Sequence, residues 1–231
     1  MNWTTQRLSP IFFALILFLF AATARAQAYK VESAGSAAPE ELASPVRDAL
    51  AGNSLRVSGP QGAICEIWLR KAVVASPEPN QELGIAFPRI PDGSLFGAVR
   101  FTAGIKDYRG QKIKPGTYTL RYALQPVDGN HQGVSAYRDF LLLVPASLDA
   151  GIAPIAFKEL ALLSRKASGT GHPAVWSLLP AESAPATLPG FKHVDDGDLW
   201  VLYFQFPMGP EGGAASPTTI GLVIIGRAPE A

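Results

Sequence analysis

Cysteine is almost missing from this chain. Cys65 is the only one in 231 residues, so no intrachain disulfide forms, even in a compartment that would permit one. Nothing basic and no histidine flanks it, and it reads as a small buried hydrophobe rather than a reactive thiolate. An excess of charge is missing too. With 20 basic and 19 acidic residues the formal charge is +1. That balance excludes the concentrated positive field that nucleic acid needs and argues against electrostatic attachment to anionic lipid. Signatures of catalysis are also lacking. No Gly-x-Ser-x-Gly elbow occurs, and Gly133-Val-Ser135-Ala lacks the closing glycine. Ser168-Gly-Thr-Gly-His172 lacks the Lys-Ser/Thr pair of a phosphate loop. No internal repeat is present.

What is there begins with the N-terminus. Arg7 precedes an apolar run from Ile11 to Ala22, followed by Ala24-Arg25-Ala26. A dozen apolar residues are too few to span a bilayer comfortably, and small residues at the first and third positions of that tripeptide suit a signal peptidase. Residues 1–26 are therefore expected to be a cleaved export signal, and the destination periplasmic or secreted. Cutting 26 residues from 231 leaves 205, without Arg7 and Arg25, and a formal charge of −1. That length suits one domain with no transmembrane span. Residues 27–43 read as a flexible lead-in, and 44–231 as a single domain.

The pattern of that domain is mostly β. Leu55-Arg-Val57 alternates. So does Cys65 to Arg70, with Cys65, Ile67 and Leu69 on one face and Glu66, Trp68 and Arg70 on the other. Trp68 then faces solvent, a covering helix or a partner. Ile85-Ala-Phe87 and Leu95 to Phe101 read as further strands. After the turn at Pro115-Gly116, Tyr118, Leu120, Tyr122 and Leu124 share a face opposite Thr117, Thr119 and Arg121. Phe140 to Val144 is continuously apolar, as in a strand covered on both faces. Ala174–Leu179, Leu199–Phe206 and Ile220–Ile225 complete eight or nine strands. A short helix is expected after Ser44 as N-cap, with Pro45 at its first position. A longer one is expected around 154–166, stopped by Gly169, with Arg165 and Lys166 suiting its C-terminal dipole. Strands without regular intervening helices exclude a doubly wound parallel fold. They favour a mainly β antiparallel sandwich, immunoglobulin/fibronectin-like or jelly-roll-like, with one or two short helices.

Lys114-Pro-Gly-Thr-Tyr-Thr-Leu-Arg-Tyr122 resembles the Pro-Gly-x-Tyr-x-Leu segment of secreted β-sandwich modules, among them fibronectin-like and carboxypeptidase-regulatory-like domains. Extended through Gly129-Asn-His-Gln-Gly-Val and Arg138-Asp-Phe-Leu-Leu-Leu143, it also resembles uncharacterised exported bacterial proteins of no assigned activity. The resemblance spans about 40 residues. It implies export and a β-sandwich, and it transfers no catalytic residue.

Three loops gather groups capable of chemistry. Asp128, Asn130 and His131, with Arg138 and Asp139, place an acid, an amide, an imidazole and a charge pair in twelve residues. They are the candidate ligand contacts, although turn formation and pairing with neighbours would use the same groups. Ser168–Pro173 carries His172. His193-Val-Asp-Asp-Gly-Asp198 carries three acids, but without the spacing of an EF-hand. His131, His172 and His193 are the only histidines. Convergence of all three would make a divalent-metal site. Trp68, Trp176, Trp200, Tyr108 and Tyr137 are candidates for stacking on sugars if exposed, and for the core otherwise. The function expected is non-catalytic: an exported module binding a protein partner or envelope glycan, with no cofactor. A metal-assisted hydrolase on the three histidines, and a structural accessory of an envelope assembly, are the alternatives.

Overall fold

The computed structural model describes residues 29–128 and 135–228. The chain is mainly β and antiparallel. Its elements are β1 (Lys30–Ala34), α1 (Ser44–Ala49), β2 (Ser54–Gly59), β3 (Gly62–Leu69), β4 (Val73–Val74), β5 (Leu95–Phe101), β6 (Ile105–Lys106), β7 (Lys112–Ile113), β8 (Gly116–Leu124), β9 (Asp139–Pro145), α2 (Phe157–Ser168), β10 (Val175–Leu179), β11 (Gly190–Val194), β12 (Leu199–Gly209) and β13 (Ser216–Ile225). Eleven strands form one sheet in the order β1-β2-β3-β5-β8-β9-β10-β13-β12-β11, with β4 added parallel to β12. β6 and β7 make a separate ribbon.

The sheet folds over its own apolar face, and β10 is where it turns. Val175, Trp176 and Ser177 pair with β9, whereas Leu178 and Leu179 pair with β13. A strand that changes partners midway forms a corner between two layers. The layers meet at Phe96 of β5, which stacks on Phe206 of β12 with centroids 3.9 Å apart. At the far ends of the sheet, Tyr29 lies beside Phe191 of β11 and Trp200 of β12.

Alternation explains the inner face. Val57, Cys65, Ile67, Val99, Tyr118, Leu120, Tyr122, Leu141 and Leu143 are all buried in the shared core. The outer face of the middle strands is buried as well. Trp68 is covered by the α1 segment, packing with Leu42, Val46 and Leu50, and its Nε1 donates to the Ser36 carbonyl at 2.9 Å. Leu142 and Val144 lie beneath Leu160 of α2, so the apolar run of β9 is covered on both sides.

Several local expectations change. Residues 30–34, assigned to the flexible lead-in, form β1 along β2. Ser44 is the first residue of α1 rather than its cap, and the capping position falls on Ala43, which has no side chain able to bond. The long helix begins at Phe157 instead of 154, because the Ile155 amide is held by the Gly93 carbonyl at 3.2 Å. It ends as expected at Gly169, whose φ of 67° is the left-handed conformation glycine tolerates. Ile85–Phe87 is a loop: its amides bond to a side chain instead of a neighbouring strand. Among the described residues, no helix is long and apolar enough to cross a membrane. The expected leader lies outside them.

Candidate binding cleft

Of the first group of sequence-nominated residues, Asn130 and His131 lie outside the described residues. Arg138 and Asp139 are placed clearly. Asp139 opens β9 and is fully buried. Its carboxylate accepts from the amides of Ala86 (2.7 Å) and Phe87 (3.0 Å) and from the Tyr122 hydroxyl (2.6 Å). Burial and the adjacent Asp139 charge push the Tyr122 hydroxyl pKa up, so it remains a donor. Arg138 donates to the Gln125 carbonyl at 2.9 Å and pairs with Glu82 at 2.6 Å. Together they fasten the 82–87 loop to the sheet. Asp128, at the exposed edge of the same region, is also engaged.

The histidines occupy different surroundings. His172 is exposed in the turn between α2 and β10, where its carbonyl accepts from Ser168 Oγ at 2.6 Å. His193 is on β11, not in a loop. Its ring lies 4.9 Å from that of Trp200, with Nδ1 3.1 Å from Asp195 and Nε2 2.7 Å from Asp198. His131 lies outside the described residues. Among the described residues, no group of three or more His, Cys, Asp or Glu side chains is placed to hold a metal. Trp68 and Trp176 are buried in the core, while Trp200 and Tyr137 are half-buried.

His172 does border a small cleft, open to solvent. Its origin lies in how the outer face of β9 is shared. α2 covers Leu142 and Val144, and Tyr108 covers Phe140, with ring centroids 6.2 Å apart. The space between these two covers is the cleft. Ala123 of β8, Leu142 of β9 and Val175 of β10 form its floor, and Tyr108 and Phe157 form its walls. Arg109 and His172 stand exposed at the rim. Among the described residues, no Asp or Glu lines it. Among the described residues, no hydrogen bond or ion pair engages the Arg109 guanidinium or the His172 ring.

The Tyr108 wall is held by Asp107. One carboxylate oxygen accepts from the amides of Arg109 (3.0 Å) and Gln111 (2.8 Å). The other accepts from Gln111 Nε2 (2.8 Å) and the Val175 amide (3.0 Å). Burial raises the Asp107 pKa, and these hydrogen bonds oppose that rise without cancelling it. Gln111 also donates to the Pro173 carbonyl at 2.8 Å and accepts from Thr170 Oγ1. The Tyr108 carbonyl receives the Ala228 amide at 2.8 Å. On the opposite side, Ser164 Oγ donates to the Ala174 carbonyl (3.1 Å) and accepts the Ala174 amide (3.0 Å), docking α2 beside the same strand.

Reading the sequence missed Asp107. Its signal was Asp107-x-Arg109-Gly110, an aspartate that captures the amides just downstream to close a turn. No family model, curated protein or solved structure matches the chain.

Proposed function

We propose that this protein is an exported, non-catalytic binding domain whose α2 cleft receives an apolar anchor side chain of a protein partner, flanked on that partner by a carboxylate. The observation that carries this reading is the cleft's composition: an apolar floor and ring walls on paired strands, with Arg109 and His172 exposed at a rim to which the described residues contribute no acid. Convex apolar anchors in preformed pockets are the usual source of interface energy. The Arg109 charge at the rim favours a flanking acid. The non-catalytic part rests on the buried carboxylates. Asp107, Asp139 and Asp149, the buried carboxylates among the described residues, are each engaged by internal donors, so these three are spent on holding the fold rather than presented as acid or base. Export rests on the N-terminal leader sequence.

The test is a titration of the purified mature domain with indole and with p-cresol, followed through backbone amide shifts. Saturable shifts centred on Tyr108, Ala123, Leu142 and Val175, abolished by Ala123→Trp, support the reading. Unchanged spectra at millimolar concentrations, or shifts confined to other surfaces, overturn it.

A further inference from the structure

The strand register gathers several segments at one end of the molecule. The β2–β3 hairpin (Gly59 with Gly62), the end of β5 against the start of β8 (Phe101 with Gly116) and the start of β1 (Lys30 with Ser58) all lie there. The C-terminus of α2 lies there too, because the chain runs from it into β10, whose Val175 pairs with Leu142 toward the end of β9. The β6–β7 ribbon joins β5 to β8, so it sits over this end. Its register sets Ile105 opposite Ile113 and Lys106 opposite Lys112. Opposed residues share a face, and successive residues alternate. Both isoleucines pack on the core, so the two lysines point outward side by side.

Like charges directly opposite each other destabilise a strand pair, and further cations adjoin this one. Lys30, Lys114, Arg165 and Lys166 are exposed at the same end. The turn after α2 is tied to the ribbon, since Gln111 Nε2 donates to the Pro173 carbonyl at 2.8 Å and α2 packs against β7. Among the described residues, none of the six side chains takes part in a hydrogen bond or ion pair. Between residues 104 and 118 the one acid is Asp107, which is buried and spent on backbone amides. Between 160 and 175 the sequence has none. The β11–β12 turn of the other layer carries acids, of which Asp195 and Asp198 flank His193. A total charge near zero conceals this segregation. A charged surface feels what lies within a Debye length of about 8–10 Å, not the sum over the molecule.

The described chain also enters at this end. Tyr29 immediately precedes β1, and residues 23–28 separate it from the apolar run Ile11–Ala22. That link spans at most about 20 Å. The leader expected to bring the precursor to a membrane is therefore joined to the basic end.

We infer that this end is a peripheral docking surface for an anionic phospholipid bilayer, with the ribbon lysines meeting lipid phosphates. Charge complementarity selects an anionic occupant. The point where the leader joins selects a bilayer. The rings of the ribbon segment, Tyr108 and Tyr118, are buried, which leaves no stacking platform there for a glycan. The surface goes beyond the α2 cleft and does not depend on it.

The experiment is co-sedimentation of the mature domain with vesicles of equal parts phosphatidylglycerol and phosphatidylcholine, and with phosphatidylcholine vesicles alone. At low salt the anionic vesicles are expected to bind at least about tenfold more strongly, and about 0.5 M salt to abolish the difference. Lys106→Gln and Lys112→Gln are each expected to weaken that binding about fivefold. Each also relieves the repulsion across the ribbon, so neither is expected to lower the melting temperature. Lys71→Gln, which removes a cation from the opposite end of β3, is expected to leave binding unchanged. Equal binding to both kinds of vesicle overturns the inference, as does an effect of Lys71→Gln as large as that of the ribbon variants. Binding to soluble inorganic polyphosphate without binding to anionic vesicles overturns it as well.

Discussion

At the scale of single residues, buried polar groups decide how the sheet is locked. Arg121 and Asp149 have side chains 0% and 1% exposed. Arg121 places Nε and Nη2 on the two Asp149 oxygens at 2.8 and 2.7 Å. Its remaining donors reach the carbonyls of Gly93, Gly151 and Ala153, so all five N–H groups are satisfied. Thr119 adds a third bond to Asp149 at 2.5 Å. Removing one member strands a charge in the interior. Asp149→Ala is expected to cost about 3–5 kcal/mol in urea unfolding, and adding Arg121→Met to restore part of that loss. Alternation in Tyr118–Leu124 correctly set Arg121 opposite the core-facing rings. It carried no sign that the opposite face would be buried too, since Asp149 lies 28 residues away with no pattern linking the two. Cys65 was legible: alternation put it inside, and it is buried, with burial raising its thiol pKa. Its alkylation by iodoacetamide is expected to be at least about a hundredfold slower in native than in urea-unfolded protein. Comparable rates would place the thiol outside the core.

At the scale of elements, β2, β3 and β8 announced themselves by alternation, and β5, β9, β10, β12 and β13 by apolar runs. β1 was missed because Lys-Val-Glu-Ser-Ala offers a single apolar residue, Val31, to the core. β11 was missed because His193 and the acids after it drew attention to chemistry rather than to the pairing of Phe191 and His193 with β12. Ile85–Phe87 erred the other way: an apolar triplet is also what a loop shows when a buried carboxylate supplies its hydrogen bonds. The approach to α2 depends on Gly93. Its φ is 77°, and a Cβ there would sit 2.0 Å from the Ile155 carbonyl oxygen. Gly93→Ala therefore displaces the segment leading into Phe157. It is expected to lower the melting temperature and weaken indole binding, whereas Gly171→Ala, with open space around it, is expected to change neither. Equal effects of the two substitutions would contradict this role.

At the scale of the whole molecule, composition and periodicity were enough for the fold class, while the closure of one sheet over itself was not. The corner in β10 depends on a strand of five residues changing partners between Ser177 and Leu178, and no residue pattern marks that change. The α2 cleft was half legible. His172 and Tyr108 were each nominated, but separately: Tyr108, with Arg109, comes from a turn some sixty residues earlier, fixed by Asp107. Asp107 also gives the molecule a pH signature. Its pKa is raised in the fold, so the native state holds that proton longer than the unfolded chain. Its contribution is full below the ordinary carboxylate value of about 4 and is lost as pH rises through the raised value. Glu66 has the opposite sign. Burial alone would raise it, but hydrogen bonds from Ser36 and Ser54 and the charges of Arg56 and Arg100 bring it below its usual value. Its stabilisation is present above about 4 and fades as pH falls further. Asp107→Asn is expected to be less stable throughout, since its amide faces a second donor. Stability against pH above about 4 is expected to be flatter in that variant than in the wild type, and identical slopes would remove Asp107 from this account.

The central claim is that the space between α2 and the Tyr108 turn receives an apolar anchor. Intermolecular nuclear Overhauser effects from bound indole test it most directly. The account expects cross-peaks to the methyl groups of Ala123, Leu142 and Val175 and to the rings of Tyr108 and Phe157. Cross-peaks to Leu55, Ile67 and Phe204 instead, or none at saturation, would contradict it.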